Sequence, residues 1–524
     1  MTTEPENNQN SKDLGGLHRK HFRCLSLNGW EQTHSDYLYS MAWFEGKLYC
    51  GTMRGSLIFI NLRTPPPQMK PFPIPIPEDP FALDIRAQIW CYTPETDRWD
   101  LAYQAPIVMG RFGQEVPREV GYRGMAVFQG KSDRKPALYV CTLSPARSTG
   151  PVILRSEDGR EFVPVTDPGM GLGLVGLNSF RFLEVFNGKI YTSPIGGVQK
   201  KVDQSKFINS VVNSSASPIV YESDDPAKGK WRPVSTSKFG DENNTVVFFV
   251  TAFNNHLYAS TFNVVSGFQI WKTRGEGDAP YEWKNVLRLG AYRGKFNQGV
   301  IWMHPFKGAL YACTGIQDGG YDRKNKIGPA AGEVIRIYPD DSWDLVVGTA
   351  RLTPHGLKIP TSGLSQGLDN YFNGYLWQMY EYEDHLYLST MDWSVYLRYA
   401  PTDRWAAAIR NLVINAQGGV EEIVNKEGGA DLWRTQDGDH WEPVTKTGFE
   451  NPYNVGIRKL LPTPIGLAVG TVNPFSPKVA VKENGEWHYI ENPRGGTEVW
   501  LGHLSHATQQ PLRDEDVQRL RRNA

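Results

Sequence analysis

Three arginines, Arg123, Arg181 and Arg458, occupy the same place in three copies of a recurring phrase, and the other copies put Tyr39, Phe248, Ile301 and Trp377 there. Guanidinium groups offer a planar fork of donors to oxyanions. Arginines interleaved with aromatic rings around one axis therefore suit a carboxylate, phosphate or sulfate carried on an apolar or aromatic body. A residue recurring at one repeat position also suits a repeated structural task, such as tying the backbone of a neighbouring repeat, and the two roles are compatible. A few residues further on, most copies are small or apolar, whereas Glu184, His304, Tyr380 and Glu381 break the pattern. Carboxylates and a histidine are the usual proton carriers near neutral pH. These four are the candidate catalytic residues; singly, each also suits a satisfied contact between repeats.

What positions them is a repeat. One phrase occurs seven times, at 41–52, 125–142, 183–193, 250–261, 303–314, 379–390 and 460–471, with MAWFEGKLYCGT and MHPFKGALYACT as clear copies. Alternating apolar residues, a Gly or Asn/Asp turn and a second strand opened by Leu-Tyr read as a β-hairpin. Behind each hairpin comes a pair of further strands, the last built around an aromatic, at 87–103, 152–165, 218–234, 268–286, 333–347, 430–444 and 478–490. Four strands in fixed order, repeated at intervals, predict an all-β fold, a seven-bladed β-propeller. It would occupy 22–500, from a first blade near Tyr37 to a last one ending near Ile490, with 22–27 pairing at an outer edge. A polar tail, 1–21, precedes it and 501–524 follow.

The connections are unequal. Insertions at 53–86, 194–217, 315–332, 348–374 and 391–429 exceed the usual handful of residues and would roof one face, where loops of this length tend to be functional. Within 402–416, Trp405, Ile409, Leu412 and Val413 form one helical stripe with Thr402 or Asp403 as cap, predicting a short helical insertion that packs across the blade edges or acts as a lid.

Composition narrows the function. Lys+Arg and Asp+Glu are 56 each, which argues against a general nucleic-acid binder. No run approaches a membrane span, and the first twenty residues lack the apolar core of an export signal, so a cytoplasmic protein is expected. Cys50, Cys141 and Cys313 share a repeat position and read as small buried hydrophobes. Gly171–Gly176 matches a dinucleotide fingerprint as a string but opens no helix, and His18/His21 and His503/His506 lack further ligands nearby. No cofactor is expected, although the DGGYD run at 318–322 could offer oxygens to Ca²⁺.

The turns RSEDGREF (155–162) and RTQDGDHW (434–441) resemble the Asp-box of sialidase-like propellers, and the chain resembles the Asp-box or kelch-like propeller family at the level of fold. That resemblance implies the fold and no activity. In architecture the chain is also similar to propellers that form bonds from alkyl halides in natural-product biosynthesis, without a shared catalytic motif. The reading is a propeller that binds and transforms a small anionic, partly aromatic metabolite in an axial pocket on the roofed face, as a transferase, lyase or hydrolase. The alternatives are a protein-interaction scaffold, docking through the roof loops or the charged C-terminal tail, and an alkylating enzyme using alkyl halides.

Overall fold

The structure is a computed structural model that describes residues 15–58, 71–78, 83–172, 177–196, 218–317, 320–322 and 324–506. It is mostly β, and each recurring phrase is an antiparallel hairpin. Ser35–Phe44 pairs with Lys47–Arg54, Val246–Phe253 with His256–Phe262, and Gly299–Phe306 with Ala309–Gly315. A third and fourth strand follow in register, as in Gln88–Thr93 and Arg98–Gln104.

The repeat explains itself physically. The Tyr of each Leu-Tyr pair is buried, at Tyr49, Tyr139, Tyr258, Tyr311 and Tyr387 among others. The threonine ending the phrase bonds the third strand: Thr52 Oγ1 donates to the Gln88 carbonyl and accepts from its N–H, and Thr142 does the same with Val152. A single threonine thus satisfies a buried donor and acceptor where the third strand begins. Two residues into that strand an indole donates to the side chain just behind it: Trp90 to Gln88 at 3.1 Å, Trp271 to Gln269 at 3.0 Å, Trp433 to Asp431 at 3.1 Å and Trp500 to Glu498 at 3.0 Å.

Successive units are stitched together. The second strand of one unit pairs with the first strand of the next at Met53–Gly121, Phe262–Gly299, Gly315–Tyr375 and Met391–Gly456. The last hairpin, Gly456–Thr463 with Gly466–Val472, pairs back to the first through Val472–Tyr37. The initial strands also pack side by side in sequence, and Gly456–Thr463 packs against Ser35–Phe44.

The outer strands of this last unit differ from the sequence reading. Lys478–Glu483 and Glu486–Glu491, expected as its third and fourth strands, form a separate two-stranded hairpin. Val499–Gly502 is the third strand instead, and Phe22–Ser26 pairs with it as the outermost. The N-terminal segment is therefore fastened to the C-terminal unit through buried backbone hydrogen bonds.

The helical insertion is also corrected. The α-helix covers only Ala407–Val413, and neither Thr402 nor Asp403 caps it: its N-cap is Ala406, with no side-chain bond. Leu412 is 75% exposed and Ile409 42%, so the expected stripe does not face the core. Val413 and Ile414 are the buried residues, packed with Phe372, Leu397 and Ile423 of a second, unanticipated helix at Val420–Glu427. Residues 173–176 of the glycine-rich string, 197–217, Asp318 and the C-terminal tail beyond 506 lie outside the described residues.

Candidate functional site

Each innermost strand carries an irregularity at the position where the sequence places its arginines and aromatics. Register shifts fall between Leu38 and Ser40, Tyr122 and Gly124, Val247 and Phe249, Val300 and Trp302, Leu376 and Gln378, and Ile457 and Lys459. The residues left out of the ladder are Tyr39, Arg123, Phe248, Ile301, Trp377 and Arg458. In the third unit the strand breaks between Phe180 and Glu184, and Arg181 falls in the gap. A β-bulge frees one residue from pairing and re-aims its side chain. Here the re-aimed side chains converge.

The Arg123 guanidinium lies 5.5 Å from the Tyr39 ring centroid, Arg458 lies 5.8 Å from Tyr39 and 5.3 Å from Trp377, and Arg181 lies 3.6 Å from Phe248. Tyr37 sits edge-on to both Tyr39 and Trp377. Gly456 makes room for this collar, since a Cβ there would stand 2.3 Å from the Trp377 ring. All the collar residues except the half-buried Arg181 are buried.

The three arginines are not equivalent. Arg123 Nη1 donates to Ser179 Oγ at 2.6 Å, and Arg181 Nε donates to the Phe248 carbonyl at 3.2 Å, a tie to the next unit's backbone. Arg458, 7% exposed, has both Nε and Nη1 buried without a hydrogen-bond partner among the described residues. Ring faces attract a cation but do not replace hydrogen bonds to its N–H groups. Burial, with Arg123 and Arg458 nearby, pulls the Arg181 guanidinium well below its usual range. An anion among the three would relieve that repulsion.

One residue here escaped the sequence reading. Lys459, directly after Arg458, places its ammonium 5.0 Å from the Trp302 ring, and its side chain makes no ion pair among the described residues. Burial pulls the amine well below the ordinary lysine range, and Arg458 and Arg181 push it the same way, against Cys141. The signal was present: the matching residues of other copies are Ser40, Gly124, Phe249, Trp302 and Gln378, none of them charged.

The proton carriers lie between the collar and the hairpin turns. Glu184 Oε1 accepts from the Ala252 N–H at 3.3 Å, with Thr251 Oγ1 at 3.5 Å, and burial pushes its carboxyl up to about 7. Burial also raises the Tyr380 phenol, and Glu184 adds to that shift although the two belong to the third and sixth units. Tyr380 packs 4.9 Å from the His304 ring. Burial pulls His304 down to about 4, so the ring is neutral at pH 7, and its Nε2 accepts from the Glu381 N–H at 3.2 Å. Glu381 itself does not join the group. It neighbours Tyr380 on one strand, so the two side chains point to opposite faces, and it is exposed.

The roof is held by three insertions. Tyr399 Oη donates to the Ala480 carbonyl at 3.0 Å, the Ala480 N–H to Pro73 at 2.9 Å, and Tyr489 Oη to Phe72 at 2.9 Å. Val395, Tyr399, Val479 and Ile195 share one apolar cluster with Phe248, Ile301 and Trp377 of the collar. Two open clefts near residues 348–371, the larger of about 410 Å³, share Thr349 and Gln366 and include none of the collar.

The other sequence candidates are engaged locally. The Asp322 carboxylate accepts from Gln298 Nε2 and from the Asn325 backbone and side-chain amides. The two histidine pairs meet where Phe22–Ser26 joins the last unit, with His506 Nδ1 2.9 Å from the His21 carbonyl. Among the described residues no group of three or more His, Cys, Asp or Glu is placed to hold a metal. No described helix is long and apolar enough to cross a membrane.

No family model matches the chain, and no curated protein matches it. Similar solved structures include a prolyl endopeptidase at 10% identity and TM-score 0.39, covering 92% of this chain and 52% of that one. Puromycin hydrolase matches at 9% identity and TM-score 0.43, covering 91% and 56%, and Kuenenia stuttgartiensis hydrazine synthase at 10% and 0.42, covering 88% and 97%. The chain spans about half the length of the peptidases it matches. Likenesses this remote carry no activity across.

These findings correct the family reading. The solved structures reported above are peptidases and a hydrazine synthase rather than Asp-box or kelch proteins, and no family model matches, so that kinship is withdrawn. The turn chemistry behind it is nevertheless present: Asp158 Oδ1 accepts from the Arg160 and Glu161 N–H groups, and Asp437 Oδ1 from those of Asp439 and His440. Short turns of this kind satisfy themselves locally and arise without common descent.

Proposed function

We propose that the units close as a seven-bladed propeller whose central channel binds a small molecule with an anionic end and an aromatic or apolar body. The pairing of Val472 with Tyr37 and the ordered packing of the initial strands support closure. The bulged arginines and rings support the ligand class. Roof contacts cover the collar on one side, which leaves the side of the hairpin turns, opposite the roof, for ligand entry. Its anionic end goes in first. Glu184, protonated up to about pH 7, and neutral His304 stand beside its body as proton donor and acceptor.

The observation carrying this reading is the guanidinium of Arg458, buried and stacked, with two nitrogens unpartnered among the described residues. A buried donor left unmade costs about 1–3 kcal/mol, which a bound oxyanion would recover. Calorimetric titration with phenylacetate and phenyl phosphate tests it. Arg458→Met should weaken binding by about 1.5–3 kcal/mol, the range for hydrogen bonds to charged groups, without lowering the melting temperature. Equal affinity in both proteins overturns the assignment.

A further inference from the structure

We propose that Lys459 is a carbonyl-reactive amine and that the channel takes 2-oxo acids, whose carboxylate the arginine collar holds while the keto carbon reaches Lys459. This rests on the anion-binding reading above and names the substrate class for the same site. Lys459 follows Arg458 on one strand, immediately after the bulge, so whatever Arg458 grips is held close to this amine. Among the described residues it has no carboxylate partner, and its head group lies on the Trp302 ring. Two guanidinium groups close by and no counter-ion disfavour the ammonium form of this lysine, which makes more of the nucleophilic amine available than at an exposed lysine. The lowered basicity agrees with that placement. A 2-oxo acid puts its carboxylate one bond from the carbonyl carbon, which matches an anion site and an amine on adjacent residues.

The step balances without a further reagent. The amine lone pair attacks the keto carbon and the C=O π electrons move to oxygen, which takes a proton as nitrogen gives one up, forming a carbinolamine. The hydroxyl, protonated by an acid in the channel, leaves as water while the nitrogen lone pair forms C=N. Loss of the remaining N–H proton returns the acid, so amine and ketone give imine and water.

The test is reductive trapping on the full chain. The protein is incubated with phenylpyruvate and cyanoborohydride, followed by intact mass and peptide mapping, with the exposed lysines as internal controls. The expected result is saturable labelling of Lys459 at least tenfold faster than any exposed lysine, competed by phenylacetate. It should be lost in Lys459→Arg and slowed at least tenfold in Arg458→Met. Labelling of Lys459 no faster than exposed lysines, or insensitive to phenylacetate, overturns the proposal. If phenylacetate binds by calorimetry yet no adduct forms at Lys459, the imine falls and the anion site stands. If phenylacetate does not bind and Lys459 is not labelled, both fall. Should Lys459→Arg fail to fold, the wild-type rate ratio and competition decide alone.

Discussion

Arginines largely shielded from solvent occur in two settings in this molecule. In one, the half-buried Arg494 donates to both oxygens of Glu498 at 2.8 and 3.0 Å, and the half-buried Arg351 grips both oxygens of Glu333 at 2.9 Å each. Both glutamates are fully buried and collect further donors, Asn451, Asn454 and Trp500 on Glu498, and Asn297 on Glu333. In the collar, Arg458 has rings where those arginines have carboxylates. Burying a charge is expensive unless it is paired, so a paired arginine is complete as it stands and an unpaired one is complete only with a ligand. On the proposed function, the contrast separates a structural cation from a binding one without reference to repeat position.

The largest effect should come from the paired side. Replacing Glu498 with Ala strands Arg494 and leaves the donors of Asn451, Asn454 and Trp500 unsatisfied, so it should cost about 3–5 kcal/mol in chemical denaturation. It should also loosen Phe22–Ser26, whose partner strand carries Glu498's neighbours. A cost below 1 kcal/mol would break the comparison, because the pair would then not be structural. Next is Arg458→Met, with equal or higher stability and the weaker binding given above. Removing an unpaired buried charge relieves a cost, so a large drop in stability would move Arg458 to the structural class.

Much of this was legible in the sequence, and the failures have physical causes. The hairpins could be read because Leu-Tyr, the turn residues and the closing threonine each meet a repeated need. The collar could be read because the bulge falls at one place in nearly every first strand. The last unit was misread because Lys478–Glu491 alternates like a blade edge, and alternation alone does not say what a strand pairs with. The better signal was the polar residue two before tryptophan, which links Gln88-Ile89-Trp90, Gln269-Ile270-Trp271 and Asp431-Leu432-Trp433 to Glu498-Val499-Trp500. Whether an arginine finds a buried carboxylate is a long-range property that no spacing reports. The exposed Leu412 makes the related point that a helical stripe shows amphipathicity and not which surface meets the core.

Glu184 tests the comparison with a half-buried acid in place of a base. Its folded-state value of about 7 exceeds the ordinary 4.5, so between those values the folded protein binds more protons than the unfolded chain. Stability must therefore fall as pH rises from about 4.5 to 7. The full shift is damped because the residue is only half-buried, leaving about 1–2 kcal/mol. Glu184→Gln should remove that slope, read as the difference in denaturation midpoint between pH 5 and pH 7.5, and should lower any turnover while sparing affinity. An unchanged slope would mean the carboxylate is already ionised and paired.

The smallest effect is expected at Glu381, the acid that sequence grouped with His304. The strand places its side chain opposite Tyr380, exposed to water, and only its backbone N–H reaches the histidine. Glu381→Gln keeps that N–H and alters a solvated group, so stability should stay within about 0.5 kcal/mol. Binding of phenylacetate and its pH profile should also be unchanged. His304→Gln is the matched control, because it removes the acceptor that the Glu381 N–H uses and the neutral ring beside Tyr380. If Glu381→Gln instead weakens binding or turnover more than fivefold while His304→Gln does not, the carboxylate turns inward when ligand is present. The rim would then be remodelled by binding, and exposure in the free protein would no longer separate the acids that work from those that are merely near.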